Sequence, residues 1–145
     1  METINDVLRQ KGSDIYSISP DAAVFEAVKL VAEKNIGALL VLDKSEQVVG
    51  IFTERDYARK IALLGKDPKA TPVRDVMTSK VMFIEGDKSI DDCMALMTKH
   101  RFRHLPVLKV GKLVGLVSIG DIVKAVISGK NLLIDQLGEY IVGNS

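Results

Sequence analysis

Two short segments of the sequence carry a glycine, a hydroxyl and a carboxylate at the same spacing. Gly50-Ile51-Phe52-Thr53-Glu54-Arg55-Asp56 is matched by Gly115-Leu-Val-Ser118-Ile-Gly-Asp121. In each segment the hydroxyl ends a β-rich run, and the carboxylate follows three residues later at the start of a predicted helix. Ser/Thr-x-x-acid at such a junction is typical of a helix capping box, in which hydroxyl and acid each accept a backbone N–H.

The same residue types can also hold a ribose phosphate. A carboxylate has two oxygens that can accept both hydroxyls of a cis-diol. The N-terminus of a helix favours an anion, and glycine lets a ligand approach the backbone closely. That the pattern occurs twice favours a ligand site, but a duplicated cap has the same pattern, so both interpretations stay open.

These segments belong to a repeat that covers most of the chain. Residues 15–61 align with residues 81–126 after a one-residue deletion near Ser45, with nine identical pairs. The identical pairs are Ile18/Ile84, Asp21/Asp87, Leu30/Leu96, Leu39/Leu105, Val41/Val107, Leu42/Leu108, Val49/Val114, Gly50/Gly115 and Asp56/Asp121. Each copy predicts the order β-α-β-β-α, with the second helices over 54–64 and 119–128. We therefore predict an α/β fold made of one unit used twice.

The repeat also sets the expected domain boundaries. A polar segment with prolines, 65–72, separates the copies. Ile4-Asn-Asp-Val-Leu8 and Val73-Arg-Asp-Val-Met77 echo each other, so a short lead-in turn is expected before each copy. We predict repeat 1 over 1–66, repeat 2 over 67–130 and a C-terminal amphipathic helix over 131–145. The apolar stripe of that helix is Leu132, Leu133, Leu137 and Ile141.

Cationic side chains are present in one copy only. Arg103 and His104 align with Gly37 and Ala38, and they lead directly into a strand. These cations indicate either the solvent-exposed C-terminal end of a helix, where positive charge is favoured, or side chains that face a phosphate group of a ligand. His100 and His104 are the only histidines of the chain. Because zinc requires three or four ligands and Pro106 ends any helix here, no metal site is predicted.

Composition excludes several classes of function. The 20 basic and 19 acidic residues give a net charge of +1, which provides no general attraction to nucleic acid or to an anionic membrane. No apolar run approaches the roughly 20 residues of a transmembrane helix, and the N-terminus does not resemble a secretory signal. A single cysteine, Cys93, fits a reducing compartment such as the cytoplasm and a small buried side chain. No nucleophile has a partnering base, so we predict a protein that is not an enzyme.

Taken in order, these motifs resemble a tandem pair of cystathionine-β-synthase (CBS) domains. The resemblance rests on the doubled Asp-Val-Met/Leu lead-in, the Pro-Asp or Gly-Asp helix start, Leu-x-Val-Leu, and Gly-[apolar]-[apolar]-Thr/Ser-x-x-Asp, over residues 3–128. It implies two β-α-β-β-α units packed pseudo-symmetrically through their sheets, two clefts between them, and modules that commonly pair into dimers. It also implies binding of AMP, ADP, ATP, NAD or S-adenosylmethionine.

The resemblance further implies which residues hold the ligand. In one cleft Asp56 would bind the ribose, with Arg55, Thr53 and the backbone of Gly50, Ile51 and Phe52 nearby. Arg103 and His104 would reach the phosphates, and Pro106 would border the base. In the other cleft Asp121 and Ser118 would take the ribose roles, beside Ser17, Ile18, Ser19, Gly37 and Ala38. Without the cationic pair, this second cleft is expected to bind phosphate more weakly.

The sequence thus predicts a non-catalytic sensor that binds an adenosine-containing ligand, without metal, nucleic acid or membrane. It is expected to be a cytoplasmic homodimer that signals in trans to a separate effector protein. The alternative is a ligand-independent interaction or dimerisation scaffold. In that case both Thr/Ser-x-x-Asp motifs are simple caps.

Overall fold

A computed structural model describes residues 2–129 of the chain. The helices are α1 (Ile4–Lys11), α2 (Val24–Lys34), α3 (Glu54–Tyr57), α4 (Ile90–His100) and α5, which occupies residues 119–129. The strands are β1 (Ser17–Ile18), β2 (Ala38–Leu42), β3 (Val48–Thr53), β4 (Ile84–Glu85), β5 (His104–Lys109) and β6 (Lys112–Ser118). The predicted α/β class and the twofold β-α-β-β-α order are confirmed. The predicted helix over 131–145 lies outside the described residues.

The chain forms two compact units, A and B. Unit A, residues 14–81, has a three-stranded sheet in the order β1-β2-β3. Strands β1 and β2 are parallel, and β2 and β3 are antiparallel. Its core combines one face of α2 with the sheet, where Val24, Leu39 and Phe52 are buried. This arrangement follows from apolar residues at helical spacing in α2 and from short apolar strands.

Unit B contains residues 2–13 and 82–129 of the described chain. Its sheet has the order β4-β5-β6, with β4 parallel and β6 antiparallel to β5. Cys93 and Met97 of α4 are buried against Leu105 of β5 and Ile122 of α5. Unit B therefore repeats the sheet of unit A and adds α1.

Each lead-in segment (residues 4–8 and 73–77) packs on the other copy of the repeat. In unit B, Ile4 N–H donates to the Lys88 carbonyl at 2.9 Å and Asn5 N–H to the Gly86 carbonyl at 2.8 Å. The matching bonds of unit A join Val73 N–H to Ala22 at 2.8 Å and Arg74 N–H to Pro20 at 2.9 Å. The boundaries predicted in chain order, 1–66, 67–130 and 131–145, stay predictions.

Two local features differ in detail from the sequence prediction. The helix expected over 54–64 is an α-helix only to Tyr57, and Ala58–Ala62 continue it as a wider π-helical turn that buries Ile61. The first lead-in is an eight-residue helix, capped by Thr3, whereas the second forms a single 3-10 turn over Val73–Asp75. The helix that contains the first lead-in thus continues to Lys11, whereas the turn of the second ends at Asp75.

None of the helices within residues 2–129 combines the length and the apolar character needed to cross a bilayer.

Candidate functional site

The Thr53-x-x-Asp56 motif forms a capping box at the junction of β3 and α3 in unit A. Asp56 N–H donates to Thr53 Oγ1, and Thr53 N–H donates to Asp56 Oδ2, both at 3.1 Å. The Thr78 hydroxyl lies 3.1 Å from Asp56 Oδ1, and Lys60 Nζ lies 3.4 Å from the same oxygen. Asp56 is only 7% exposed. Since both of its oxygens contact protein donors, this carboxylate is already well satisfied within unit A.

The Ser118-x-x-Asp121 motif forms the equivalent box in unit B, with a different partner. Ser118 N–H donates to Asp121 Oδ2 at 2.8 Å, and Asp121 N–H donates to Ser118 Oγ at 3.1 Å. Lys11 Nζ, at the end of α1, donates to the same Oδ2 at 2.6 Å and to the Leu116 carbonyl at 2.8 Å. Within residues 2–129, no donor is bonded to Asp121 Oδ1. This carboxylate is 23% exposed and keeps one oxygen for a further donor.

The glycine that opens each motif is needed for packing of a lead-in segment. A Cβ atom at Gly50 would lie 2.6 Å from Met77 Sδ, and one at Gly115 would lie 2.7 Å from a Leu8 methyl carbon. These distances are shorter than real carbon contacts, so only glycine allows the lead-in to pack this closely. The Cβ direction of each glycine is thus occupied by the protein itself, and Gly50 as a residue that lines a ligand site stays a prediction.

The predicted site residues that belong to unit A lie on or near its central strand, β2. Ser17 and Ile18 form β1, and Ser19 accepts a bond from Asp21 N–H in the following turn. Ala38 is paired with Thr53, and Glu54 N–H donates to the Gly37 carbonyl at 3.3 Å. The side chains of Ile51 and Phe52 are buried, so only their backbone could border a ligand.

The remaining predicted residues gather in unit B. His104 is paired with Ser118, Pro106 follows on the same strand, and Ile119 N–H donates to the Arg103 carbonyl at 2.8 Å. Arg103 and His104 therefore flank the Ser118–Asp121 box within one unit. The expected groupings of Arg103 and His104 with Asp56, and of Gly37 and Ala38 with Asp121, each draw on both units and stay predictions.

A solvent-open cavity of about 110 Å³ lies beside Asp121. Its polar lining is Gln10, Lys11, Asp121, Lys124 and Ser128, and its apolar lining is Val7 and Ala125. Sequence reasoning missed Lys11, because 110 positions separate it from Asp121. The sequence feature that could have pointed to this region is the similarity between the two lead-in segments, residues 4–8 and 73–77. It indicated that each lead-in is part of the repeated unit.

Two other expectations concern reactive groups. Burial raises the pKa of the Cys93 thiol to about 11, so at neutral pH it is a neutral side chain in the core of unit B rather than a nucleophile. Among the described residues 2–129, no cluster of three or more His, Cys, Asp or Glu side chains has the arrangement of a metal site.

The surroundings of Asp121 predict how its charge responds to pH. Burial raises the pKa of the Asp121 carboxyl, but the bonds from Lys11 and from Ser118 N–H lower it by more, so it lies below its ordinary value of 3.8. A depressed folded-state pKa contributes stability above the unfolded value and loses it as the pH falls through the folded value. We expect NMR titration of the Asp121 carboxyl carbon to give a midpoint below 3.8.

Replacing Lys11 with methionine should move that midpoint upward, because the ammonium that favours the ionised carboxylate is removed. The matched control is Lys109→Met, at an exposed position of the same unit. An unchanged midpoint in Lys11→Met would mean that the contact with Lys11 is not maintained in solution.

Comparison with known proteins places these features in a family. The model of the CBS domain matches residues 4–63 and again residues 73–128. The chain is 40% identical over 149 residues to the mitochondrial CBS domain-containing protein CBSX3 of Arabidopsis thaliana, covering 97% of this chain and 72% of that protein.

Solved structures agree with this match. A CBS-domain protein of Burkholderia ambifaria MC40-6 is 52% identical, with a TM-score of 0.82 over 88% of this chain and 95% of the other. The hexameric CBS-CP12 protein of bloom-forming cyanobacteria is 29% identical, with a TM-score of 0.76. The match covers 85% of this chain and 70% of that protein's chain. Such proteins are generally non-catalytic regulatory modules that bind ligands. The repeated strand–helix boxes, the two matching sheets and these similarities together show that the chain belongs to the CBS-domain family, with two copies of the domain.

Proposed function

We propose that this protein is a regulatory sensor of an adenosine-containing ligand, such as AMP, ADP, ATP, NAD or S-adenosylmethionine. The observation that carries the proposal is the carboxylate of Asp121, which lies at a strand–helix junction with one oxygen directed to no donor within residues 2–129. A ribose hydroxyl could donate to that oxygen without disturbing the capping bonds. The binding event would then be passed in trans to a separate effector protein.

The two carboxylates differ in how much they offer a ligand. Asp56 is almost fully buried, and its oxygens contact Thr53, Thr78 and Lys60. A ligand there would have to displace the Thr78 hydroxyl or Lys60, and each of these donors would lose a bond to a charged acceptor. The contacts within each unit therefore favour Asp121 as the first ribose site, while Asp56 stays a predicted second one.

Arg103 and His104 stay predicted phosphate-binding residues. Their backbone is fixed beside Ser118 by strand pairing and by the bond from Ile119 N–H. A cationic guanidinium suits phosphate because it offers several N–H donors in a fixed geometry. Single replacements, Arg103→Ala and His104→Ala, would show whether ligands with phosphate groups lose more affinity than adenosine.

One observation favours a second candidate, the ligand-independent interaction scaffold. Both hydroxyl–carboxylate motifs do form capping boxes, as the simplest reading of the sequence predicts. Under either function we infer a cytoplasmic homo-oligomer, expected to be a homodimer. The hexameric state of the CBS-CP12 relative supports self-association in proteins of this type.

The two functions are distinguished by thermal unfolding against a ligand panel. We expect one adenosine compound among AMP, ADP, ATP, NAD and S-adenosylmethionine to raise the melting temperature, with GTP as the comparison. Ligand at about 100 times its dissociation constant adds about 2.7 kcal/mol of stability, which corresponds to several degrees for a chain of this size. Protein first freed of nucleotide, checked by absorbance at 260 nm after denaturation, is the starting material.

The matched variants are Asp121→Asn and Asp87→Asn. Both remove one carboxylate from unit B, but Asp87 is exposed and lies outside the box. The sensor proposal expects the ligand-induced shift to be reduced in Asp121→Asn and kept in Asp87→Asn. A panel without any shift, obtained with nucleotide-free protein, would leave the scaffold as the better account.

A further inference from the structure

Within the described residues 2–129, Lys11 uses only part of its hydrogen-bonding capacity. A lysine ammonium has three N–H donors. Lys11 uses one for Asp121 Oδ2 at 2.6 Å and one for the Leu116 carbonyl at 2.8 Å. These two bonds fix the position of the nitrogen and leave a third donor for another acceptor.

The cavity beside Asp121 is cationic. Lys11 and Lys124 both line it, and among the lining residues within 2–129 Asp121 is the one carboxylate. Gln10 and Ser128 add polar groups that can donate hydrogen bonds. With a volume of about 110 Å³, open to solvent, it has room for several water molecules or for one small oxyanion.

We propose that Lys11 makes this cavity a subsite for one phosphate group of the ligand whose ribose is held by Asp121. This inference rests on the proposed function, since it takes the ribose position from it. The ammonium has two roles: it holds Asp121 through Oδ2, and it offers its third donor to the anion. Lys124, on the adjacent turn of α5, adds a second positive charge at the cavity.

From the sequence alone, the site of Asp121 is expected to bind phosphate more weakly than that of Asp56, because it lacks Arg103 and His104. The lead-in helix supplies a cation that the repeat alignment does not show, because α1 extends to Lys11 whereas the equivalent turn of unit A ends at Asp75. The ligand class for Asp121 is therefore a nucleotide rather than a nucleoside.

The test compares AMP with adenosine as probes of the whole 145-residue chain. Calorimetry gives the two dissociation constants, and ¹H–¹⁵N NMR shifts of residues 118–128 report whether binding occurs at Asp121. We expect wild-type protein to bind AMP at least about tenfold more tightly than adenosine, since a charge-assisted bond contributes about that factor. Lys11→Met should remove most of this preference by weakening AMP binding more than adenosine binding, since adenosine lacks the phosphate that the third donor would hold.

Lys109→Met is the matched control, because it removes a lysine from the same unit at an exposed position outside the cavity. It should keep the preference for AMP at low and moderate salt. Equal affinities of wild-type protein for AMP and adenosine, or an equal loss of both in Lys11→Met, would overturn the phosphate subsite while leaving the sensor proposal intact. If neither probe shifts the amides of residues 118–121, the proposed ribose site fails and the subsite fails with it.

Discussion

Replacement of Ile4 with alanine will lower the free energy of unfolding by about 2–5 kcal/mol. Ile4 begins the lead-in helix, is fully buried, and belongs to the core of unit B together with Ile84 and Leu105. Alanine leaves a cavity between the lead-in and the sheet, which costs more than the lost apolar burial alone. Urea unfolding followed by circular dichroism measures the loss.

Leu63→Ala is the control for this variant, because Leu63 is a large apolar residue that is 79% exposed. It should change stability by less than about 0.5 kcal/mol. Hydrogen exchange then locates the effect: Ile4→Ala should accelerate exchange at Leu105 and Val107 of β5 more than at Leu40 of β2. Faster exchange confined to β2 would show that the lead-in does not stabilise unit B.

The sequence predicted the repeated architecture well, because its identical pairs are the positions that determine the fold. Leu39 and Leu105 are both fully buried, as are Val41 and Val107. Ile18 is paired with Val41 in one sheet, and Ile84 with Val107 in the other. Burial and strand pairing constrain these residue types directly, so periodicity alone reveals them.

The partners of the two carboxylates could not be predicted in the same way. Lys11 lies 110 positions from Asp121, and Thr78 lies 22 positions from Asp56. Both partners come shortly after a lead-in segment. Hydrophobic periodicity predicts only which face of a helix or strand is buried. It does not predict against which copy of the repeat the lead-in segment packs.

The capping and ligand interpretations of the motif prove compatible at one of its two positions. Asp121 caps α5 through Oδ2, and its other oxygen accepts no bond from a donor within residues 2–129, which leaves it for the proposed ligand. At Asp56 both oxygens have contacts within unit A, and the carboxylate is buried. The same motif is thus fully engaged by protein groups in unit A, whereas in unit B it leaves an oxygen that the proposed binding role would use.

Replacement of Asp56 with alanine will therefore be the more damaging of the two carboxylate losses, at about 3 kcal/mol. It leaves the Thr53 N–H and the Thr78 hydroxyl without their buried acceptor, and each unsatisfied group costs about 1–3 kcal/mol. Asp121→Ala, at a more exposed carboxylate, should cost about 1 kcal/mol, as for the loss of an ordinary cap. Urea unfolding of both variants gives the comparison.

A double-mutant cycle between Asp56→Ala and Thr78→Val separates the buried contact from the cap itself. Because the Thr78 hydroxyl lies 3.1 Å from Asp56 Oδ1, the two losses should be less than additive, with a coupling of about 1 kcal/mol. Thr78→Val keeps the shape of the side chain, so any loss comes mainly from the hydroxyl. If Asp56→Ala costs no more than Asp121→Ala and shows no coupling to Thr78, Asp56 is not held by this buried network. Its carboxylate would then be as available to a ribose as that of Asp121.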